Sequence, residues 1–193
     1  MKAGVDEAGR GALAGPVVAA AVVLSPDRAI DGLADSKRLS AKRRDQLARV
    51  IQDQALAWAV VEVDASIIDE INILQASFRA MDEALTQLSV APTEVLVDGN
   101  QLPKWRWSAR AIVGGDGIEP CIMAASILAK VHRDRSMAVL DAVHPGYGFG
   151  THKGYPTTAH REALMRLGAC AVHRRSYAPV RRCLAVREER VAT

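Results

Sequence analysis

Four acidic residues sit where apolar stretches give way to glycine. They are Asp6 and Glu7 ahead of Ala8-Gly9-Arg10-Gly11, Asp98 after Val95-Leu96-Val97, and Asp116 between Gly115 and Gly117. An apolar strand is built to be buried, so a carboxylate at its end must be paired, hydrated or metal-bound. Several hard oxygen ligands brought to one point suit Mg²⁺ or Mn²⁺. Four clustered carboxylates cannot all stay ionised without cations. Two divalent ions about 3.5–4 Å apart would neutralise them, one activating a water and both stabilising a phosphoryl transition state. A solvated turn explains any one of these residues about equally well; it explains all four together poorly.

The elements that must position them can be read along the chain. Residues 2–6 form a short apolar strand, and 17–24 a second, a near-continuous Val/Ala run buried on both faces. A polar loop, Asp35-Ser36-Lys37-Arg38, leads to Ser40, an N-cap for a helix through about Gln54. Residues 57–63 are a third strand, 65 to about 88 a helix in two pieces, 94–98 a fourth strand and 107–113 a fifth. A long helix runs from 119 to about 143. Residues 146–150, with three glycines, form a loop, and 157–167 a helix ended by Gly168. A basic tail from His173 through Arg182 leads into a short terminal helix.

Two neighbouring strands precede any helix, and later strands return through helices. This order predicts an α/β fold with a mixed sheet flanked by helices. If the first and fourth strands are neighbours, Asp6 and Asp98 share one end of the sheet, where ligands of such folds bind. A glycine loop can bring Asp116 there. Adjacent strand residues point to opposite faces, so Asp6 and Glu7 serve one site only if the chain bends after them. Gly9-Arg10-Gly11 supplies that bend.

The bulk properties narrow the class. The 193 residues fit one domain, 1–193, and 49% hydrophobic but only 4% aromatic content leaves Ala, Val, Leu and Ile to fill the core. Residues 1–100 hold 10 Lys/Arg against 15 Asp/Glu, a net −5; residues 101–193 hold 15 against 7, a net +8. An acidic site with a basic surface suits a polyanionic substrate, although uneven solvated charge reads almost as well. Three cysteines without a C-x-x-C spacing argue against a disulfide framework or a zinc site and fit a reducing cytoplasm. The apolar stretch 12–24 follows acidic residues and is interrupted by Gly15 and Pro16, which suits neither a signal sequence nor a membrane span.

Rival motifs are weaker. Gly9-x-Gly11-x-x-x-Gly15 lacks the G-x-G-x-x-G spacing of a dinucleotide site, and Asp6-Glu7 would repel a pyrophosphate. The five histidines, 132, 144, 152, 160 and 173, lack metal-site spacing and read as surface or loop residues. Ser126 reads as helix packing. In the basic run 37–44, Lys37 is the best phosphate ligand, with a solvated face as the alternative. Tyr155, in His152-Lys153-Gly154-Tyr155-Pro156-Thr157, could stack on a sugar or base or simply anchor its loop.

In order along the chain, Asp6-Glu7-Ala8-Gly9-Arg10-Gly11, Asp35-Ser36-Lys37, Asn72-Ile73-Leu74 and Val97-Asp98-Gly99-Asn100 resemble the motifs of bacterial type 2 ribonuclease H, ribonuclease HII. So do Ala124-Ala125-Ser126-Ile127-Leu128-Ala129-Lys130 with Arg133-Asp134, and 152–157. The resemblance runs from residue 2 to about 183. It implies a ribonuclease H-like fold, a five-stranded mixed sheet with a small C-terminal helical part, residues 145–193 contacting the substrate. It implies an endonuclease that cuts the RNA strand of RNA–DNA hybrids and 5′ of single ribonucleotides in duplex DNA, leaving 3′-hydroxyl and 5′-phosphate ends. Such an enzyme serves ribonucleotide excision in DNA replication and repair.

By the same resemblance, Asp6, Glu7, Asp98 and Asp116 hold two Mn²⁺ or Mg²⁺ ions. Gly9, Arg10 and Gly11 read the ribose 2′-hydroxyl, Tyr155 packs on the following deoxyribose, and Ser36 and Lys37 hold backbone phosphates. Asp134 reads as support. The implied partner is nucleic acid, with no membrane, and the chain acts as a monomer. The alternative is a non-catalytic nucleic-acid-binding module on the same fold. One departure stands out: the family usually has Lys two residues before the fourth Asp and often Ser after it, where this chain has Gly114 and Gly117. A more mobile Asp116 loop, missing a charge partner, is the expectation. The chain ends soon after the last motif, without a tail suggesting a sliding-clamp peptide.

Overall fold

A seven-residue strand with no polar side chain, Val17–Val23, is buried at every position. It is the second strand, β2, of a five-stranded sheet in the order β3-β2-β1-β4-β5. The others are β1 (Lys2–Ala8), β3 (Ala57–Val63), β4 (Glu94–Asp98) and β5 (Ala109–Ile112). The structure, a computed structural model, describes residues 1–191, with side chains through 187. The helices are α1 (Ala41–Gln54), α2 (Ala65–Thr86), α3 (Pro120–Val143), α4 (Phe149–His152), α5 (Thr158–Leu167) and α6 (Ala178–Val191). No helix among the described residues is long and apolar enough to cross a membrane.

The chain divides into two compact units. The first comprises 1–8, 18–62 and 77–132; the second comprises 9–17, 63–76 and the chain from Arg133 on. In the first unit, β1 pairs antiparallel with β2 and parallel with β4, and β4 pairs parallel with β5. This is the mixed sheet expected from the element order. Val5 lies opposite Val97, so Asp6 and Asp98 follow at the same end of two adjacent strands. Val18, Ala20 and Val22 of β2 pack with Leu47 and Ile51 of α1 and with Ala124, Ile127 and Leu128 of α3. Each large aliphatic side chain buried there contributes about 1.5–3 kcal/mol. The small residues set the spacing. A Cβ on Gly4 would lie 2.1 Å from the backbone carbon of Cys121, so α3 rests directly on the β1 backbone.

Local signals explain the element ends. Ser40 Oγ accepts from Arg43 N–H at 3.2 Å and starts α1 as expected. The two pieces of α2 meet at Asn72, whose φ is +67° and whose side-chain oxygen accepts from Leu74 and Gln75. The fifth strand is shorter than the expected 107–113, because Trp107 turns aside to donate its indole N–H to Asp82 at 2.8 Å.

The second unit has its own cores. Ala14, Met137, Tyr147, Phe149 and Ala163 form one; Leu13, Leu164, Val180 and Cys183 form another. The 146–150 loop is partly helical: Gly148, left-handed, precedes the single turn of α4. The basic stretch from 173 is divided: Arg175, Arg181 and Arg182 are exposed. His173 and Arg174 are buried, and Arg181 and Arg182 already lie in α6. Thr157 caps α5 through His160 N–H, and Gly168 ends it.

Candidate active site

Within the first unit, Asp6, Asp98 and Asp116 come together. Each offers a carboxylate oxygen, and these oxygens all lie within 4.8 Å of one another. Asp6 is almost fully buried and Asp116 nearly so. Burial, then the charges of Glu7 and Asp98, push the Asp6 carboxyl well above its ordinary range. Two hydrogen bonds oppose this, from Glu7 N–H to Asp6 Oδ1 at 2.7 Å and from the Ser126 hydroxyl. Asp116 N–H donates to Asp98 Oδ1 at 3.3 Å. The donor set is all hard oxygen and its charges repel, so the residues present fit a hard divalent cation.

Glu7 is not in this group of three. The strand β1 runs on through Glu7 and Ala8, paired with Ala19 and Val18, two residues past the expected 2–6, and the chain turns from Gly9 on. Glu7 still raises the Asp6 pKa through its charge.

Ser126, taken from sequence as helix packing, does more. Its hydroxyl donates to Asp6, so its oxygen must accept from Ser36, 2.8 Å away. Ser36 is buried, and its carbonyl accepts from Arg44 at 2.9 Å. The Ser36 hydroxyl therefore faces Ser126. Nothing in the spacing of 36 and 126 announces the pair; the only signal is that both lie in matched motifs.

Lys37 stands out from the protein, yet its Nζ donates to Asp116 Oδ2 at 2.8 Å. That bond is the first cause of the raised Lys37 pKa. Asp35 holds the backbone beneath it by accepting from Lys37 N–H at 2.8 Å. Asp116 is thus buried with a lysine partner, supplied by Lys37 rather than by position 114. Gly114 itself has φ of +67°, a conformation that disfavours any side chain there.

In the second unit, Gly9 and Tyr155 both meet Arg133, and Gly11 lies against Tyr155. A Cβ on Gly9 would lie 2.0 Å from Arg133 Nε, and one on Gly11 would lie 3.9 Å from the Tyr155 ring. The Arg133 guanidinium stands 5.3 Å from the centre of that ring. Fully buried, it donates to Pro16 O at 3.0 Å and Ala14 O at 3.3 Å. Leu13 N–H donates to Gly154 O, and Arg174 N–H donates to Leu13 O, both at 2.8 Å. Arg10 is exposed, but its carbonyl accepts twice, from Arg174 Nη1 at 2.9 Å and from the Tyr177 hydroxyl at 2.6 Å. Arg174 also donates to Gly15 O at 3.0 Å. Arg133 and Arg174 were missed as supports of this loop. Arg174 sits in a run of basic residues that reads as surface, and its one clue is Tyr177 three residues on.

A family model described as ribonuclease HII matches residues 3–180. The chain belongs to the ribonuclease HII family. A ribonuclease HII from Azoarcus sp. is 57% identical over 181 residues, 94% of this chain and 89% of that protein. A crystal structure of the ribonuclease H2 from Pyrococcus horikoshii superposes with a TM-score of 0.78 at 28% identity, over 100% of this chain and 99% of that one. Bst-RNase HIII in complex with Mn²⁺ superposes with a TM-score of 0.76 at 18% identity, over 97% of this chain and 70% of that one, a likeness of fold. The ribonuclease H-like fold expected from the motifs is therefore the observed one. As a ribonuclease HII, the chain is a metal-dependent hydrolase that cuts the RNA strand of RNA–DNA hybrids.

Proposed function

We propose that this ribonuclease HII also cuts duplex DNA 5′ of a single embedded ribonucleotide, and that its acidic group holds two divalent ions, Mn²⁺ or Mg²⁺. The observation that carries the metal reading is the convergence of Asp6, Asp98 and Asp116 within 4.8 Å. Glu7, beside Asp6, is the fourth ligand. Bound ions would supply an activated water and neutralise the charge gathering on the phosphoryl group, leaving 3′-hydroxyl and 5′-phosphate ends.

The chain's own residues do the rest. Ser36 and Ser126 fix the Asp6 carboxylate by a one-way pair of hydroxyl bonds. Lys37 balances Asp116 in the metal-free protein and, mostly exposed, can turn to a backbone phosphate. Gly9, Arg10 and Gly11 present backbone groups to the ribose 2′-hydroxyl, the group that separates RNA from DNA. Tyr155 packs on the next deoxyribose and leaves no room for a hydroxyl. What supports this recognition is that Gly9 and Tyr155 share one buried guanidinium, Arg133, and that Gly11 lies against the Tyr155 ring. Residues from about 145 on contribute the rest of the substrate contacts.

The test is cleavage of a DNA duplex carrying one ribonucleotide, with Mn²⁺, Mg²⁺ or a chelator. The expected product is a metal-dependent cut on the 5′ side of that ribonucleotide. Cutting of long hybrids alone would remove the junction reading and keep the nuclease. No cut of either substrate would favour the non-catalytic binding module.

A further inference from the structure

Three histidines expected to be ordinary surface or loop residues form a packed cluster in the second unit. His160 and His173 are buried; the His152 ring stacks on His160 at 4.4 Å, and Phe149 meets His160 edge-on at 5.5 Å. Their hydrogen bonds have a fixed direction. A backbone N–H can only donate, and Cys170 N–H points at His173 Nδ1 from 3.1 Å. A neutral imidazole has one donor and one acceptor. His173 must therefore carry its proton on Nε2. That nitrogen faces His160 Nε2 at 3.2 Å, which must accept. His160 then carries its proton on Nδ1, which faces the Tyr155 carbonyl at 3.0 Å. The partner of each nitrogen fixes the tautomer of the other.

We propose that His160 and His173 are positioning residues for Tyr155, holding the junction-reading loop through a directional chain from Cys170 N–H to the Tyr155 carbonyl. The proposal rests on the reading of Tyr155 given above. The chain works only while both rings are neutral, because a proton on either would set two N–H groups against each other. The surroundings keep them neutral. Burial first, then His160, His144 and His152, lower His173 to about 4, and burial with His152 lowers His160. Cys170, whose Sγ is 3.1 Å from His173 Nδ1, is held protonated by burial. Nearby Lys153 spends its ammonium on Gly150 O at 2.6 Å. His152 has a role of its own: it accepts from Gly154 N–H and bonds the Tyr147 carbonyl, pinning the other side of the loop.

The experiment has a spectroscopic and a kinetic arm. Imidazole ¹⁵N NMR of the intact protein at neutral pH should find His160 protonated on Nδ1 and His173 on Nε2. The reverse tautomers would overturn the chain without any variant being made. Kinetically, His160→Ala should raise KM for the single-ribonucleotide duplex by roughly tenfold, as for one lost hydrogen bond in a buried site, with little change in kcat. His160→Asn, which keeps a donor near the Tyr155 carbonyl, should recover most of that affinity. In a Tyr155→Ala background, His160→Ala should add almost nothing. Equal loss of kcat on all substrates, or effects that add fully to Tyr155→Ala, would overturn the proposal. Junction selectivity lost in Tyr155→Ala but kept in His160→Ala would overturn it alone. Unchanged selectivity in Tyr155→Ala would instead bring down the reading of Tyr155, and the proposal with it.

Discussion

The acidic end of the sheet and the Gly9–Pro16 loop both bury charge, and they treat it in opposite ways. At the sheet end, Asp6 is buried beside Glu7 and Asp98, and its hydrogen bonds only partly offset the repulsion. Around the loop, Arg133 and Arg174 are fully buried, but their guanidinium groups donate to the carbonyls of Arg10, Ala14, Gly15 and Pro16. Carbonyls repay part of a desolvated cation's lost hydration; a neighbouring carboxylate makes a desolvated anion worse. The first arrangement is incomplete without cations from outside. The second meets most of its charge with the protein's own carbonyls, although Arg133 Nη1 and Arg174 Nη2 are buried without a hydrogen-bond acceptor among the described residues. Chemistry that uses an external ion suits the first environment, and the second suits the shape reading proposed for Gly9, Arg10 and Gly11.

Substitutions with opposite signs can break this comparison. Asp6→Asn removes one of the repelling charges. It should lower cleavage of an RNA–DNA hybrid by about 10³-fold or more, since several kcal/mol of charge stabilisation are lost, while hybrid binding persists. The same change should raise the melting temperature of the metal-free protein. Near-normal turnover of this variant in Mn²⁺, or a lower melting temperature, would contradict the account. Arg174→Met should do the reverse. It strands the Gly15 carbonyl, takes one of two donors from the Arg10 carbonyl and should cost stability on the order of 2 kcal/mol, read by denaturant unfolding. A stability equal to wild type would mean that water or neighbouring groups satisfy those carbonyls unaided.

Acid sharpens the contrast. His160 and His173 have folded-state pKa values below the ordinary 6.5, His173 at about 4. Above pH 6.5 both rings are neutral in folded and unfolded chains, and nothing is lost. As pH falls below 6.5, the unfolded chain takes up protons first, so stability drops progressively down to about pH 4. His173→Gln should flatten part of that decline in a pH series of melting curves. A decline as steep as that of wild type would place its cause elsewhere. The smallest effect is expected at Lys37, an exposed partner of Asp116. Lys37→Met should tighten Mn²⁺ binding by no more than about fivefold, the scale of an exposed ion pair, while weakening substrate binding. Weaker Mn²⁺ binding would show that the lysine helps to build the site.

Much of the fold is legible in the sequence because its signals are local. The Val/Ala run of β2, the Ser40 cap of α1 and the two-piece character of α2 each depend on residues within a few positions, although only the structure puts the break at Asn72. The meeting of Asp6 and Asp98 is legible one step further, once β1 and β4 are taken as neighbours. The supports are not. Ser36 and Ser126 are 90 residues apart, and Arg10 and Arg174 are 164 apart. Their partners are set by packing, and a buried arginine in a basic run looks like a solvated one. The histidines escaped for the same reason: no fixed spacing relates 152, 160 and 173, and only the fold around Phe149 stacks them. Tyr155 and Lys37 were legible as candidates, but the Arg133 guanidinium over the Tyr155 ring and the Asp116 carboxylate on Lys37 Nζ come from distant positions.

If Asp6, Asp98 and Asp116 form a metal site, calorimetric titration of Mn²⁺ into the metal-free protein will find it. Wild type should bind Mn²⁺, and binding should be abolished or greatly weakened in both Asp6→Asn and Asp98→Asn, with cleavage lost in step. Unchanged Mn²⁺ affinity in both variants would contradict the metal site.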